Sequence, residues 1–214
     1  MPLPEPDAAP GGPTPHYFDA EPAVGSDPSL VQLTLPDFSV ELITDRGVFS
    51  RDRVDAGTRY LLMEGPEVPP AGHLLDLGCG YGPIAVTLAR RAPGATVWAV
   101  DVNERARALC ATNAERLGLD NVRVVAPDDV PDNVSFAAIW SNPPIRVGKA
   151  ALHGLLTRWL SRLTLQGQAH LIVQRHLGAD SLARWLTEQG WATERRASRK
   201  GYRLLGVRHQ VGVD

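Results

Sequence analysis

The chain has 214 residues, 43% of them hydrophobic, which is enough for one ordinary domain with a sizeable core. No apolar run approaches the ~18 residues of a membrane helix, and two cysteines, Cys79 and Cys110, are too few for a disulfide framework or a zinc site. The formal net charge of −2 would by itself argue against a nucleic-acid partner.

Residues 1–15 are rich in Pro, Gly and Ala and are expected to be a disordered tail. They have neither the basic start nor the apolar stretch of a secretory signal, so a reduced, cytoplasmic setting is the expectation. From Leu30 the side chains alternate up to Leu35. Pro36-Asp37 and then Val40 to Ile43 follow, which predicts a hairpin. Asp55 can cap a helix over about 56–64, stopped by Gly65-Pro66. A regular alternation comes next. Strands are predicted at 74–77, 96–100, 122–125, 136–140 and 169–173, and helices at 83–91, 103–117, 150–163 and 181–189. Two last strands, 192–196 and 202–207, form a terminal hairpin. This predicts an α/β fold: a Rossmann-like, seven-stranded, mostly parallel sheet with the last strand antiparallel, helices on both faces and a short N-terminal β-hairpin extension. Residues 16–65 are read as that extension and 66–214 as the core.

Asp76-Leu77-Gly78-Cys79-Gly80-Tyr81-Gly82 follows the first core strand and opens a helix. Glycines let the backbone approach a ligand closely, and a helix start supplies free N–H groups. The spacing is G-x-G-x-G; Pro83 stands where a dinucleotide fingerprint has its third glycine. Asp101 ends the next strand, where a carboxylate can accept both hydroxyls of a ribose. This combination resembles class I S-adenosylmethionine-dependent methyltransferases. The resemblance implies S-adenosylmethionine as cofactor, held by Asp76, Gly78, Cys79, Gly80, Asp101 and Val102. It also implies a polar residue on the adenine amino group, for which Asp128 is the choice and Asp129 the alternative.

Ser141-Asn142-Pro143-Pro144-Ile145 follows the strand 136–140. Two prolines stop the ladder and stiffen the backbone. A planar exocyclic amine is a poor nucleophile, because its lone pair is delocalised. Acceptors at the Asn142 side-chain oxygen and the Pro143 carbonyl would orient it towards an electrophilic methyl, which is catalysis by positioning. The motif resembles the [DNS]-P-P-[FYWI] signature of amino-group methyltransferases, which act on adenine N6, guanine N2 or glutamine amide nitrogen. It makes Asn142, Pro143 and Pro144 the candidate catalytic residues, with Asn142 also counted among those that bind the cofactor. Ile145 stands where many base-modifying relatives have a stacking aromatic.

Gly47-Val48-Phe49-Ser50, leading into Asp55-Ala56-Gly57-Thr58-Arg59-Tyr60-Leu61-Leu62, resembles the block before the cofactor motif in small-subunit rRNA guanine-N2 methyltransferases and their short bacterial relatives. His16-Tyr17-Phe18 and the run Asn142 to Lys149 are similar to the short relatives too. This implies that Phe49 and the helix from Ala56 cover the cofactor pocket, with Thr58 binding the cofactor carboxylate through backbone N–H. Guanine N2 of 16S-type rRNA is the implied substrate. A protein glutamine or small-molecule amine, and a non-catalytic cofactor-binding module for ribosome assembly, are the alternatives. RNA is the expected partner, contacted by Phe49, Ile145, Arg146, Lys149, Arg195 and Arg196. The terminal hairpin carries Arg199, Lys200 and Arg203 as well. No membrane partner is expected, and no metal site, since the six histidines lack ligand spacing.

The motif map also changes the reading of the charge. Residues 1–140 hold 10 Lys+Arg and 20 Asp+Glu, whereas residues 141–214 hold 12 and 4. The basic part begins at the Asn-Pro-Pro loop, the half expected to face substrate.

Overall fold

A computed structural model describes residues 24–210. The expected tail and His16-Tyr17-Phe18 lie outside the described residues.

Strands β1 (Ser29–Thr34) and β2 (Ser39–Thr44) pair antiparallel, with Leu35 N–H donating to the Phe38 carbonyl across the turn. Their alternation buries Val31, Leu33, Val40 and Leu42 on one side. Helix α1 (Ala56–Glu64) follows, and then the alternating core. Its strands are β3 (Ala71–Leu77), β4 (Gly94–Val100), β5 (Val122–Val125), β6 (Phe136–Ser141), β7 (Leu163–Gln174), β8 (Trp191–Arg199) and β9 (Tyr202–His209). Its helices are α2 (Pro83–Arg91), α3 (Glu104–Arg116), α4 (Lys149–Leu160) and α5 (Ala179–Glu188).

The core sheet has seven strands in the order β5-β4-β3-β6-β7-β9-β8, and β9 alone runs against its neighbours. Side chains on each strand alternate between two apolar layers. Leu74, Val97, Ala99, Ala138, Trp140, Ile172 and Leu204 meet the hairpin and α1–α3 on one face. Leu75, Val100, Phe136, Ile139, Leu171, Val173 and Leu205 meet α4 and α5 on the other. The hairpin is fastened by polar contacts. The Asn113 side chain on α3 satisfies both Ile43 N–H and Ile43 C=O at 2.8 Å, and Arg91 pairs with Asp37 at 2.8 and 2.9 Å.

The boundary between α4 and β7 departs most from expectation. Helix α4 stops at Leu160, with Ser161 as C-cap, and Leu163 already pairs with Phe136 in the sheet. Strand β7 is therefore much longer than its apolar run. Gly167 allows this, because a Cβ there would lie 2.7 Å from the Phe136 carbonyl oxygen.

One core residue makes stability pH-dependent. His170 on β7 is buried edge-on to Trp140, with ring centroids 5.0 Å apart. Burial, helped by the Arg196 charge, pushes its pKa down to about 3. Between about pH 6.5 and 3 the unfolded chain then holds a proton that the folded chain lacks, so stability falls as pH falls through that window. Unfolding in urea should show wild type losing about 3 kcal/mol between pH 7 and pH 4 relative to His170→Phe. Parallel curves for the two proteins would contradict this.

Candidate active site

The strand order reverses between β3 and β6, with β4 and β5 leading one way and β7 the other. A crevice opens there, beyond the carboxyl ends of the strands. It is a cavity of about 330 Å³, walled by Gly78, Gly80, Asp101 and Val102 on one side and by Asn142 to Arg146 on the other.

The glycine turn is shaped by the strands beneath it. Gly78 and Cys79 N–H both donate to the Val100 carbonyl, at 2.8 and 3.0 Å. Gly78, Gly80 and Gly82 have φ of +78°, +54° and +96°, a region that L side chains rarely adopt. A Cβ at Gly78 or Gly80 would meet no protein atom within 4 Å, so these positions leave room that a ligand can fill. Asp101 stands at the rim. Its Oδ2 accepts Gly80 N–H and its Oδ1 accepts Asn103 N–H, both at 2.9 Å. Burial raises its carboxyl pKa, and these two N–H groups oppose the rise. Asp76 is fully buried under the turn, where its Oδ2 accepts Ala85 N–H at 2.8 Å in the first turn of α2. Burial holds its carboxyl well above the usual range, and its Oδ1 has no hydrogen-bond partner among the described residues. Open backbone, an acid at the adjoining strand end and a buried, unpartnered carboxyl oxygen beneath the turn together fit an adenosyl amino acid such as S-adenosylmethionine.

The opposite wall is built around Asn142. Strand β6 ends at Ser141, whose hydroxyl donates to the Leu77 carbonyl at 2.7 Å and locks β6 to β3. Asn142 Nδ2 then donates to Asp55 Oδ2 at 2.9 Å and to Thr58 Oγ1 at 3.0 Å. A carboxylate can only accept, so the amide nitrogen must face Asp55. The amide oxygen is thereby fixed as the other end, with no protein partner among the described residues. Asp55 is held in turn as the N-cap of α1, accepting Thr58 N–H at 2.9 Å. Beyond Asn142, the Ile145 N–H donates to the Pro143 carbonyl at 2.8 Å around Pro144, an inverse γ-turn with φ −74° and ψ 77°. One of the two lone pairs of that carbonyl is therefore used within the loop.

The remaining expected residues divide. Phe49, 38% exposed, Ile145 and Arg146 line the mouth with Leu177, and Val102 and Pro127 form an apolar wall beside Asp101. Asp128 does not join them: its side chain is 89% exposed and pairs with Arg158 at 2.9 Å, because the short turn at Pro127 carries it outward. The Thr58 N–H is taken by Asp55, which leaves its hydroxyl, rather than its backbone, facing Asn142. Cys79 is buried, and Lys149 is exposed at the start of α4. Arg195 is exposed on the edge strand β8, and Arg196 is tied to Glu194 and Gln168, back from the strand ends. Exposed Arg199 and Lys200 are nearer the mouth, since the Arg175 N–H donates to the Gly201 carbonyl at 2.7 Å and Arg175 follows the cavity residue Gln174. Sequence reasoning missed Asp55 as a partner of Asn142, and it missed Gln174 and Tyr202. The signal for Asp55 was its place in the D-x-G-T block. The signal for Gln174 was a lone polar end to the run His170–Val173.

Among the described residues no group of His, Cys, Asp and Glu could hold a metal ion, and no helix is long and apolar enough to cross a membrane. The family model described as methyltransferase small domain matches residues 39–206. The chain is 36% identical over 195 residues to the uncharacterized protein YbxB of Bacillus subtilis, covering 89% of this chain and 96% of that protein. It is 34% identical over 154 residues to the ribosomal RNA small subunit methyltransferase C of Shewanella halifaxensis, covering 70% of this chain and 44% of that protein. The chain thus spans about half the length of the methyltransferases C it matches. A solved T. thermophilus 16S rRNA N2 methyltransferase, in complex with AdoMet and guanosine, superposes with a TM-score of 0.74 at 24% identity, covering 88% of this chain and 52% of that one. By these matches the chain belongs to the methyltransferase small domain family and is a class I S-adenosylmethionine-dependent methyltransferase.

Proposed function

We propose that the protein methylates an exocyclic amino group of RNA, the N2 of a guanine in small-subunit rRNA being the leading target. The observation that carries this reading is the orientation of Asn142. Both hydrogens of its amide nitrogen are held by Asp55 and Thr58, so its oxygen is presented to the cavity as an acceptor. When bound, S-adenosylmethionine supplies an electrophilic methyl on a sulfonium sulfur. Asp101 accepts the ribose hydroxyls, and the Gly78–Gly80 backbone leaves space for the amino acid end. Asn142 Oδ1 accepts one hydrogen of the target amine, and the remaining lone pair of the Pro143 carbonyl can accept the other. The nitrogen lone pair is then directed out of the base plane, with no strong base required. The named activity of the methyltransferases C, and the guanosine in the T. thermophilus structure, favour RNA over a protein glutamine or a free amine.

The charge map supports an RNA partner. Arg146, Lys149, Arg175, Arg199 and Lys200 are exposed around or near the mouth. Replacing both Arg199 and Lys200 by Ala should weaken RNA binding. It should also reduce the slope of log K against log salt by about 1.4 to 1.8, as two lost phosphate contacts would. An unchanged slope would move the RNA path elsewhere.

The function is tested by incubating the protein and tritiated S-adenosylmethionine with total RNA and total protein from a strain lacking this chain's gene. Label is expected in small-subunit rRNA. Label confined to protein or to small molecules would overturn the RNA reading.

A further inference from the structure

We propose that Gln174 is a specificity-determining residue: held by Tyr202, it offers an acceptor to the ring position beside the target amine, which selects guanine among the bases. The inference rests on the reading that a base amine enters this cavity.

Gln174 is the last residue of β7, half-buried and on the cavity wall. The parallel register pairs Ser141, the last residue of β6, with Leu171, and β7 runs on from there to Gln174. Alternation puts Gln174 on the face shared by Trp140 and Ile172, the face on which α1 lies and towards which Asn142 turns to reach Asp55. Asn142 and Gln174 therefore project from adjacent strand ends on the same side of the sheet.

The amide of Gln174 has a partner too. Its Nε2 donates to Tyr202 Oη at 3.0 Å, and Tyr202 is its register partner on β9. The Tyr202 ring is pinned by α1, since a Cβ at Gly57 would lie 2.5 Å from Tyr202 Cε1. With Nε2 on the Tyr202 hydroxyl, as the structure has it, Oε1 is the end left to accept, and no protein donor reaches it among the described residues.

Two neighbouring acceptors, Asn142 Oδ1 and Gln174 Oε1, need two neighbouring donors on the ligand. Among exocyclic amines of the common bases, guanine N2 is flanked by a ring N–H at N1. Adenine N6 is flanked by the N1 lone pair, and cytosine N4 by the N3 lone pair. Only guanine therefore presents donor beside donor. The other two would set a ring lone pair against the Gln174 oxygen and leave a desolvated acceptor unpaired.

The test uses the full chain saturated with S-adenosylhomocysteine, titrated calorimetrically with guanosine and with 2,6-diaminopurine riboside. The second nucleoside keeps the 2-amino group but has a lone pair at N1. Wild type is expected to bind guanosine about tenfold or more tightly than the analogue. Gln174→Met should lose that preference to within about twofold. Tyr202→Phe, which frees the Gln174 amide to turn over, should keep its melting temperature within a few degrees and lose part of the preference. A Gln174→Met protein with the wild-type ratio would overturn the proposal, as would a wild type that binds the two nucleosides equally or binds neither. Methyl transfer into RNA is read separately. Transfer without a nucleoside preference sinks only the Gln174 assignment; a guanosine preference without transfer into RNA keeps the subsite and sinks the RNA reading.

Discussion

Asn142→Ala is expected to lower kcat by about 10²- to 10³-fold while S-adenosylmethionine binds within about threefold of wild type. The figure is that for loss of one preorganised polar group acting at the reacting centre. The split between kcat and affinity follows from the proposed roles, in which Asn142 faces the target amine across the cavity from Gly78, Gly80 and Asp101. The effect reaches back to Asp55. Asp55→Ser keeps an N-cap oxygen for Thr58 N–H but is too short to hold Asn142 Nδ2, so helix α1 stays capped while the amide is freed. We expect about a tenfold loss of kcat with a stability change below about 1 kcal/mol. Asp55→Asn keeps an acceptor oxygen for both donors and should restore most of the activity. Single-turnover methylation and cofactor titration separate these outcomes. Full turnover by Asn142→Ala on a verified substrate would contradict the clamp.

The second large effect is on cofactor affinity. Asp101→Ala should raise the Kd for S-adenosylmethionine by about 10²-fold, since hydrogen bonds to a charged acceptor are worth about 1.5–3 kcal/mol each. The same carboxylate accepts Gly80 and Asn103 N–H, so its removal also loosens the turn that shapes the site. Asp101→Asn keeps one acceptor oxygen and should cost roughly tenfold. Because burial raises the Asp101 pKa, the accepting, ionised form is lost as pH falls through that raised value. Wild-type cofactor affinity should therefore fall on acidification earlier than an ordinary carboxylate would dictate, and Asp101→Asn should not show that fall. Calorimetric titration across pH 5 to 8 would check both.

The parts of the fold set by local pattern were legible. Alternation in Leu30–Leu35, the Asp55 cap and the apolar strand at 74–77 each form the element their residues dictate. The first part of β7 was not legible, because Thr164, Leu165 and Gln166 are exposed and follow a helix without a break in apolar content. Only Leu163 and the residues from Gln168 onward pair with β6, and those between bulge out of the ladder, so a tertiary contact at Leu163 decides where the strand starts. The site shows the same division. The glycine turn and the Asn-Pro-Pro loop are contiguous motifs, and the structure brings them to one cavity. The Asn142–Asp55 bond joins residues 87 apart, and Gln174 meets Tyr202 across 28, so no spacing could announce either. Asp128 shows the reverse. Its position in sequence suited the adenine, but a single 3-10 turn rotates it to Arg158. The net charge hides a similar division, because it averages an acidic half with a basic half that supplies Arg175, Arg199 and Lys200 near the mouth.

The most direct test of the account is the position of the methyl group. RNA labelled by the wild-type protein should be digested to nucleosides and analysed by mass spectrometry against methylated standards. The account predicts N2-methylguanosine, formed about 10²- to 10³-fold more slowly with Asn142→Ala. Methyl groups on carbon, on a ribose oxygen or on a ring nitrogen would contradict an acceptor clamp for an exocyclic amine.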